Sequence, residues 1–408
     1  MTSPAAAPPA FTGYQKFVVG MLAFLQFTII LDFMIMSPLS AIVLPALAIT
    51  PQQFGIVVSA YAFAAGISSF LAAGYADRFD RKRMLLFFYT GFMIGTLLCG
   101  LAQTFELLLA ARIVTGLFAG VIGSVIMAIA TDLFPMEKRG RVMGLIGTAF
   151  AASQVLGLPA GLYISNAWDW HAPFFVIVGI GTAVGVVITF VMRPVDAHLT
   201  LHTEHNAFAH LWATITEPKH FLAFGALTLL ATGGYMLMPL GAAFTVNNLK
   251  IDIADLPRVY LATGICMIFM GPLAGRASDK YGKFPVFLFG TILTIAIVLI
   301  YTNLGATPLL TVVILNVLLF SGIFMRMVPS QALMSGVPEP AKRGSFNAVS
   351  GCLQQIAGGV CAFLAGAIAI QAPDGHLERY PIIGYVVTGA AFITLFFMWR
   401  IHKQVPAK

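Results

Sequence analysis

Three ionisable side chains stand where the sequence is otherwise apolar. Asp32 lies in FTIILDFMIMSPL, Arg112 in LLLAARIVTGLFAG and Arg326 in GIFMRMVPSQ. A charge in the middle of a lipid-spanning helix costs roughly 2.5–3.5 kcal/mol on insertion scales, so such residues usually face a cavity and have a function. A carboxylate balanced between burial and a nearby cation can take up and release a proton, which makes Asp32 the candidate proton carrier. Asp32 falls about 16 residues beyond Lys16, close to mid-membrane at ~1.5 Å per residue. Arg112 follows Glu106 by six residues, about 9 Å below the outer boundary and at comparable depth. The two are expected to pair or to exchange a proton. The alternative for Arg112 is a structural anchor that snorkels to the outer surface. Arg326 sits on the inner half of its stretch, where a fixed cation could hold an anionic substrate or bond to carbonyls freed near Pro329. Gln154, Tyr235, Asn316, Gln354 and Gln355 are candidate polar liners of the same cavity.

The surrounding composition says what must position these groups. The chain has 408 residues, 59% of them hydrophobic and 10% charged, with a mean hydropathy of +0.90. Soluble domains run nearer 45–50% apolar and 25% charged. Twelve apolar runs are long enough to cross a bilayer. Their expected limits are 15–46, 53–73, 84–102, 106–131, 142–165 and 172–192, then 221–245, 257–275, 285–303, 308–334, 346–370 and 381–401. An all-helical membrane fold follows, because lipid offers no partner to open backbone groups. Residues 1–14 form a short lead and 403–408 a tail, and the first apolar run reads as a retained helix, not a signal peptide.

Orientation comes from the 23 Lys and Arg. With a cytoplasmic N-terminus, 18 fall in inner segments and only Lys250, Arg258 and Arg379 in outer loops. That imbalance places both termini in the cytoplasm. The formal charge of +7 therefore reports topology and not a nucleic-acid surface. The four cysteines all fall in apolar runs and show no metal-ligand spacing. His198, His202 and His205 have helical spacing in a polar stretch and read as a solvated face; GIGTAVG (179–185) lies inside a span with no strand before it, so it reads as helix packing. No metal, cofactor or catalytic set is expected. Ala149, Ser153, Gly157 and Gly161 recur every four residues, a small-residue stripe for close packing, and Pro159 adds a bend.

The chain also repeats itself. Asp77-Arg78-Phe79-Asp80-Arg81 follows the second run, and Asp279-Lys280-Tyr281-Gly282-Lys283 follows the eighth, 202 residues later. Arg139-Gly140 and Arg343-Gly344 are 204 apart. Two six-helix halves, 15–192 and 221–402, are thus related about an axis along the membrane normal. They are joined by 193–220, in which Phe208, Leu211, Trp212 and Ile215 have the spacing of an interfacial helix.

These loops make the sequence resemble the major facilitator superfamily, most of all its bacterial proton-coupled drug and sugar exporters. Arg112 and Gly116 match that group's Arg and Gly four residues apart in the fourth span; Gly157-Leu-Pro159-Ala-Gly161 approximates its fifth-span signature. Asp80 departs from the family loop pattern, which has Gly there. The resemblance implies secondary transport of a small molecule with protons, by a monomer in a bacterial inner membrane. It also implies a latch between the halves, with Asp77 in the latch position and Arg78, Arg81, Asp279 and Lys280 beside it. Uptake of a small organic anion or sugar is the alternative function. The topology has a direct check: a C-terminal green fluorescent protein fusion should fluoresce and a C-terminal alkaline phosphatase fusion should be inactive, whereas an active phosphatase would reverse the orientation.

Overall fold

The computed structural model describes residues 11–72, 75–200, 207–339 and 342–404; the Asp77 side chain, Ala73–Gly74, His202 and His205 lie outside the described residues. Among the described residues, twelve helices are long and apolar enough to cross a membrane. The first six are α1 (Gly13–Ala46), α2 (Pro51–Ala72), α3 (Arg81–Leu101), α4 (Phe105–Leu133), α5 (Met136–Ala167) and α6 (Ala172–Val191). The second six are α7 (Pro218–Asn247), α8 (Ile253–Tyr281), α9 (Lys283–Thr302), α10 (Leu309–Met334), α11 (Arg343–Ile368) and α12 (Tyr380–Gln404).

Several helices run farther than hydropathy alone implies. α3 begins at Arg81, α5 at Met136, and α8 continues to Tyr281. Asp279 and Lys280 therefore sit in the last turn of α8, exposed, and not in a loop. Hydropathy stops at the first charge, whereas a helix stops where its backbone can be capped. Gly282 ends α8 with a φ of 94°, the left-handed region that glycine adopts freely.

The basic loops act as caps. Asp80 is the N-cap of α3, and its carboxylate accepts from the Lys82 and Arg83 amides at 2.7 and 3.4 Å. Lys82 Nζ donates to the Thr189 and Met192 carbonyls at the end of α6. Arg139 donates to the Thr131 and Phe134 carbonyls at the end of α4. Cations at helix C-termini and an acid at an N-terminus complement the helix dipoles. The charges expected to orient the chain in the membrane thus also close helix ends.

α5 is not uniform. Residues Ser153–Gly157 form a π turn, with the Leu158 amide bonded to the Ser153 carbonyl. Pro159 removes a backbone donor just beyond it. The small-residue stripe packs on α1: Ser153 Oγ donates to the Phe27 carbonyl at 3.2 Å, and Gly157 and Gly161 abut Leu31 and Ile35. This fixes one face of α1 and leaves the adjoining Asp32 to face α3 and α4.

The linker contains a helix, Ala207–Thr216. Its Leu211 is buried with Phe224, Leu333, Met334 and Phe346 of the second half. Trp212 beside it is exposed, at 66%, and the Phe208 side chain lies outside the described residues. The apolar spacing read as membrane-facing thus serves protein packing at Leu211. Glu217 and Lys342 fasten the same corner at 2.9 Å; each holds the other charged, the Lys342 hydrogen bond drawing the Glu217 carboxyl below its ordinary range.

The halves meet at α2 and α11, at α5 and α8, and at α1 and α7. At the end expected to face outward, Ser37 Oγ donates to the Met238 carbonyl and the Ala243 amide donates to Ser40 Oγ at 3.2 Å. α2 and α11 cross there through two glycines: a Cβ on Gly366 would lie 2.6 Å from the Pro51 carbonyl oxygen, and one on Gly55 2.8 Å from that of Ala362. Backbone oxygens cannot step aside as side chains do. Gly366→Val should therefore part this crossing. In a chain lacking its native cysteines, a cysteine at the wholly buried Phe54 should then react several-fold faster with an impermeant maleimide added outside; an unchanged rate would show that the glycine contact does not hold the outer ends together.

Candidate functional site

α1 and α4 bring the two mid-membrane charges of the first half together. Arg112 Nη1 lies 2.8 Å from Asp32 Oδ2, and both side chains are 0% exposed. The same nitrogen is 3.3 Å from the Asp32 carbonyl. Thr96 of α3 donates to the other carboxylate oxygen at 3.1 Å. Asp32 thus has both oxygens satisfied, whereas Arg112 Nε and Nη2 find no hydrogen-bond partner among the described residues. The guanidinium instead lies over the Tyr61 ring, 4.3 Å from its centroid, a cation–π contact that strengthens where water is excluded.

The approach of α4 to α2 makes this stacking possible. A Cβ on Gly116 would stand 2.4 Å from the Tyr61 carbonyl oxygen, so the glycine four residues after Arg112 is what lets the guanidinium reach the ring. Tyr61 then continues into aromatic contacts that cross between the halves. Its ring is 5.1 Å from Phe33, Phe33 is 5.9 Å from Tyr235 of α7, and Tyr235 Oη donates to Gln355 Oε1 of α11 at 3.3 Å. The sequence offers no mark for Tyr61, Phe33 or Thr96 among so many aromatic and hydroxyl residues; a search for donors at the depth of Asp32 would have reached Thr96.

The other candidates are scattered. Gln154 is 4% exposed, and its backbone carbonyl abuts Gly264 of α8, so it belongs to the contact between halves and not to the ion pair. Asn316 Nδ2 bonds its own helix at the Val312 carbonyl, 2.9 Å away. Arg326 is 3% exposed and separate from Asp32. Of the latch candidates, Arg81 contacts Asp132 of its own half at 3.2 Å and donates to the Ala76 carbonyl. Arg78, Asp279 and Lys280 are exposed. His198 binds the Phe79 carbonyl, and no metal-holding group of His, Cys, Asp and Glu occurs among the described residues. An apolar crevice of about 220 Å³ between α1, α5 and α6 passes Thr28 and Leu31 but holds no charge.

The family model described as Major Facilitator Superfamily matches residues 22–362 and again 223–408. The chain belongs to this superfamily. It is accordingly a multi-pass membrane transporter for a small molecule and not an enzyme. Among the chain's relatives in the superfamily is the uncharacterized MFS-type transporter YceJ of Bacillus subtilis (strain 168), 26% identical over 271 residues, 66% of this chain and 68% of that protein. Multidrug resistance protein 3 of the same organism is 36% identical over 130 residues, 32% of this chain and 25% of that one. Among solved structures, the nucleoside transporter NupG aligns with a TM-score of 0.76 at 13% identity, covering 94% of this chain and 99% of that one. At that identity the likeness establishes the superfamily fold alone.

The geometry of the ion pair has an energetic consequence. Removing one partner of a buried pair costs about 3–5 kcal/mol, because the other charge stays buried without compensation. Asp32→Asn and Arg112→Met should each lower the thermal unfolding midpoint of the purified protein, and the double variant should lose less than the two losses added. Strict additivity would mean that the two charges do not stabilise one another.

Proposed function

We propose that this chain is a proton-coupled exporter of small amphipathic molecules, working by alternating access as a monomer in a bacterial inner membrane, with both termini in the cytoplasm. The observation that carries this reading is the wholly buried pair of Asp32 and Arg112. The match to a protein called Multidrug resistance protein 3 supports export and amphipathic cargo.

Protonation is the event such a pair can register. A proton on Asp32 cancels the carboxylate and leaves Arg112 a buried cation with the Asp32 carbonyl and the Tyr61 ring beside it but no counter-charge. The loss is of the order of a broken buried pair, about 3–5 kcal/mol. Moving a two-state equilibrium from 1:99 to 99:1 takes about 5.5 kcal/mol, so one protonation supplies a large part of what a change of facing requires. Tyr61, Phe33 and Tyr235 offer a path for it, since displacement of Arg112 releases the ring stack that touches the second half. Proton entry from outside and substrate entry from inside then compete for one state of the cavity.

The inner loops complete the cycle in this reading. Asp77, Arg78 and Arg81, with Asp279 and Lys280 at the matching place in the second half, form the latch that engages when the outer contacts at Ser37 and Ser40 open. Uptake of an organic anion is the competing reading, and the unpaired Arg326 is what favours it.

The test uses an efflux-deficient bacterium. Expression should raise tolerance to at least one toxic amphipathic compound, and Asp32→Asn should abolish that gain at equal membrane abundance. In proteoliposomes the compound so found should drive proton movement through the native chain and not through Asp32→Asn. Proton movement of native size in the variant would refute the coupling role.

A further inference from the structure

Arg326 presents a different problem from Arg112. It is 3% exposed, yet it has no hydrogen bond and no ion pair among the described residues, and its Nε is buried without a partner. The carbonyls that Pro329 frees do not serve it. Its nearest aromatic face, Phe287 of α9, stands 6.0 Å away, at the limit of useful cation–π attraction. A guanidinium taken out of water and left uncompensated is among the most unfavourable arrangements a fold can hold.

The neighbouring backbone explains how a ligand reaches it. Arg326 Nη1 lies 3.2 Å from where a Cβ on Gly233 of α7 would be, so the glycine leaves that nitrogen without a side chain pressed against it. The adjoining Gly234 looks onto open space, with no atom within 4 Å of its own Cβ position. α7 is also the helix that faces α1 of the other half. A cation with free donors, a bare glycine edge and an adjoining opening together describe half of a recognition site, and the missing half is an anion.

We propose that Arg326 is an anion subsite and that the transported molecules include amphipathic organic anions, carboxylates or sulfonates carrying an apolar body. Guanidinium donors lie in a planar fork that binds such groups through two parallel hydrogen bonds. The apolar body would lie on the α7 side, along the open face beside Gly234. The proposal rests on the export reading but uses a residue outside the Asp32–Arg112 pair. Its charge logic agrees with export, since an anion leaving and a proton entering both run down an inside-negative potential.

The experiment measures binding to the full chain in phosphatidylcholine nanodiscs, with empty discs subtracted, for two probes: dansylglycine, a carboxylate, and dansylglycinamide, its neutral amide. The native protein should bind the carboxylate roughly tenfold more tightly, equivalent to about 1.4 kcal/mol. In Arg326→Gln, shown first to be monodisperse, the ratio should fall towards one; Arg326→Lys should keep part of it; and Arg400→Gln, an exposed cation at the inner end of α12, should leave it unchanged. Equal binding of both probes by the native chain, binding of neither, or a preference that survives Arg326→Gln overturns the subsite. If the preference holds while Asp32→Asn still couples protons, the coupling role of Asp32 falls and the anion subsite stands. Loss of the preference alone leaves the export reading intact.

Discussion

A carboxylate and a guanidinium meet 2.8 Å apart in a region where neither can reach water, and the first half of the molecule is arranged to permit it. The pair needs α1 and α4 in register, a hydroxyl from α3 for the second carboxylate oxygen, and a glycine at 116 so that α2 can bring the Tyr61 ring under the cation. The stripe of small residues on α5 sets the rotation of α1 that aims Asp32 inward. Buried ion pairs are poor investments in stability, since well-packed apolar residues often do as well. What a pair adds is a two-valued response to one proton, and that is why its place in a transporter makes physical sense.

The same economy of charge appears at the inner surface. Asp80 departs from the family pattern in sequence, and as the N-cap of α3 it has a local task. Lys82 and Arg139 close the carbonyl ends of α6 and α4. In a chain with 10% charged residues, Asp80, Lys82 and Arg139 thus serve helix termination, and the latch role proposed for the loop has to operate within those bonds.

How much of this was legible beforehand depended on what kind of signal each feature leaves. The twelve helices stand out because lipid demands long apolar runs, and Asp32 and Arg112 stand out because a charge breaks such a run. Helix ends were placed short at α3, α5 and α8, since hydropathy falls before the backbone hydrogen bonding does. Tyr61 and Phe33 left no trace: in a chain with 34 Phe, no one aromatic is conspicuous until tertiary packing selects it. Gln154 was legible as polar but not as part of the α5–α8 contact, because the π turn that carries it has no local sequence rule beyond the nearby Pro159. Leu211 of the linker shows the limit of amphipathic spacing, which marks an apolar face without saying whether lipid or protein covers it.

The central claim is that Asp32 changes protonation while the fold around it persists. Infrared difference spectroscopy on the reconstituted chain, recorded between neutral and acidic conditions, reads the carbonyl stretch of a newly protonated carboxyl directly and needs no substrate. The account predicts such a band in the native protein and its loss in Asp32→Asn. A band that persists in the variant, or no protonation band in the native chain, would contradict it.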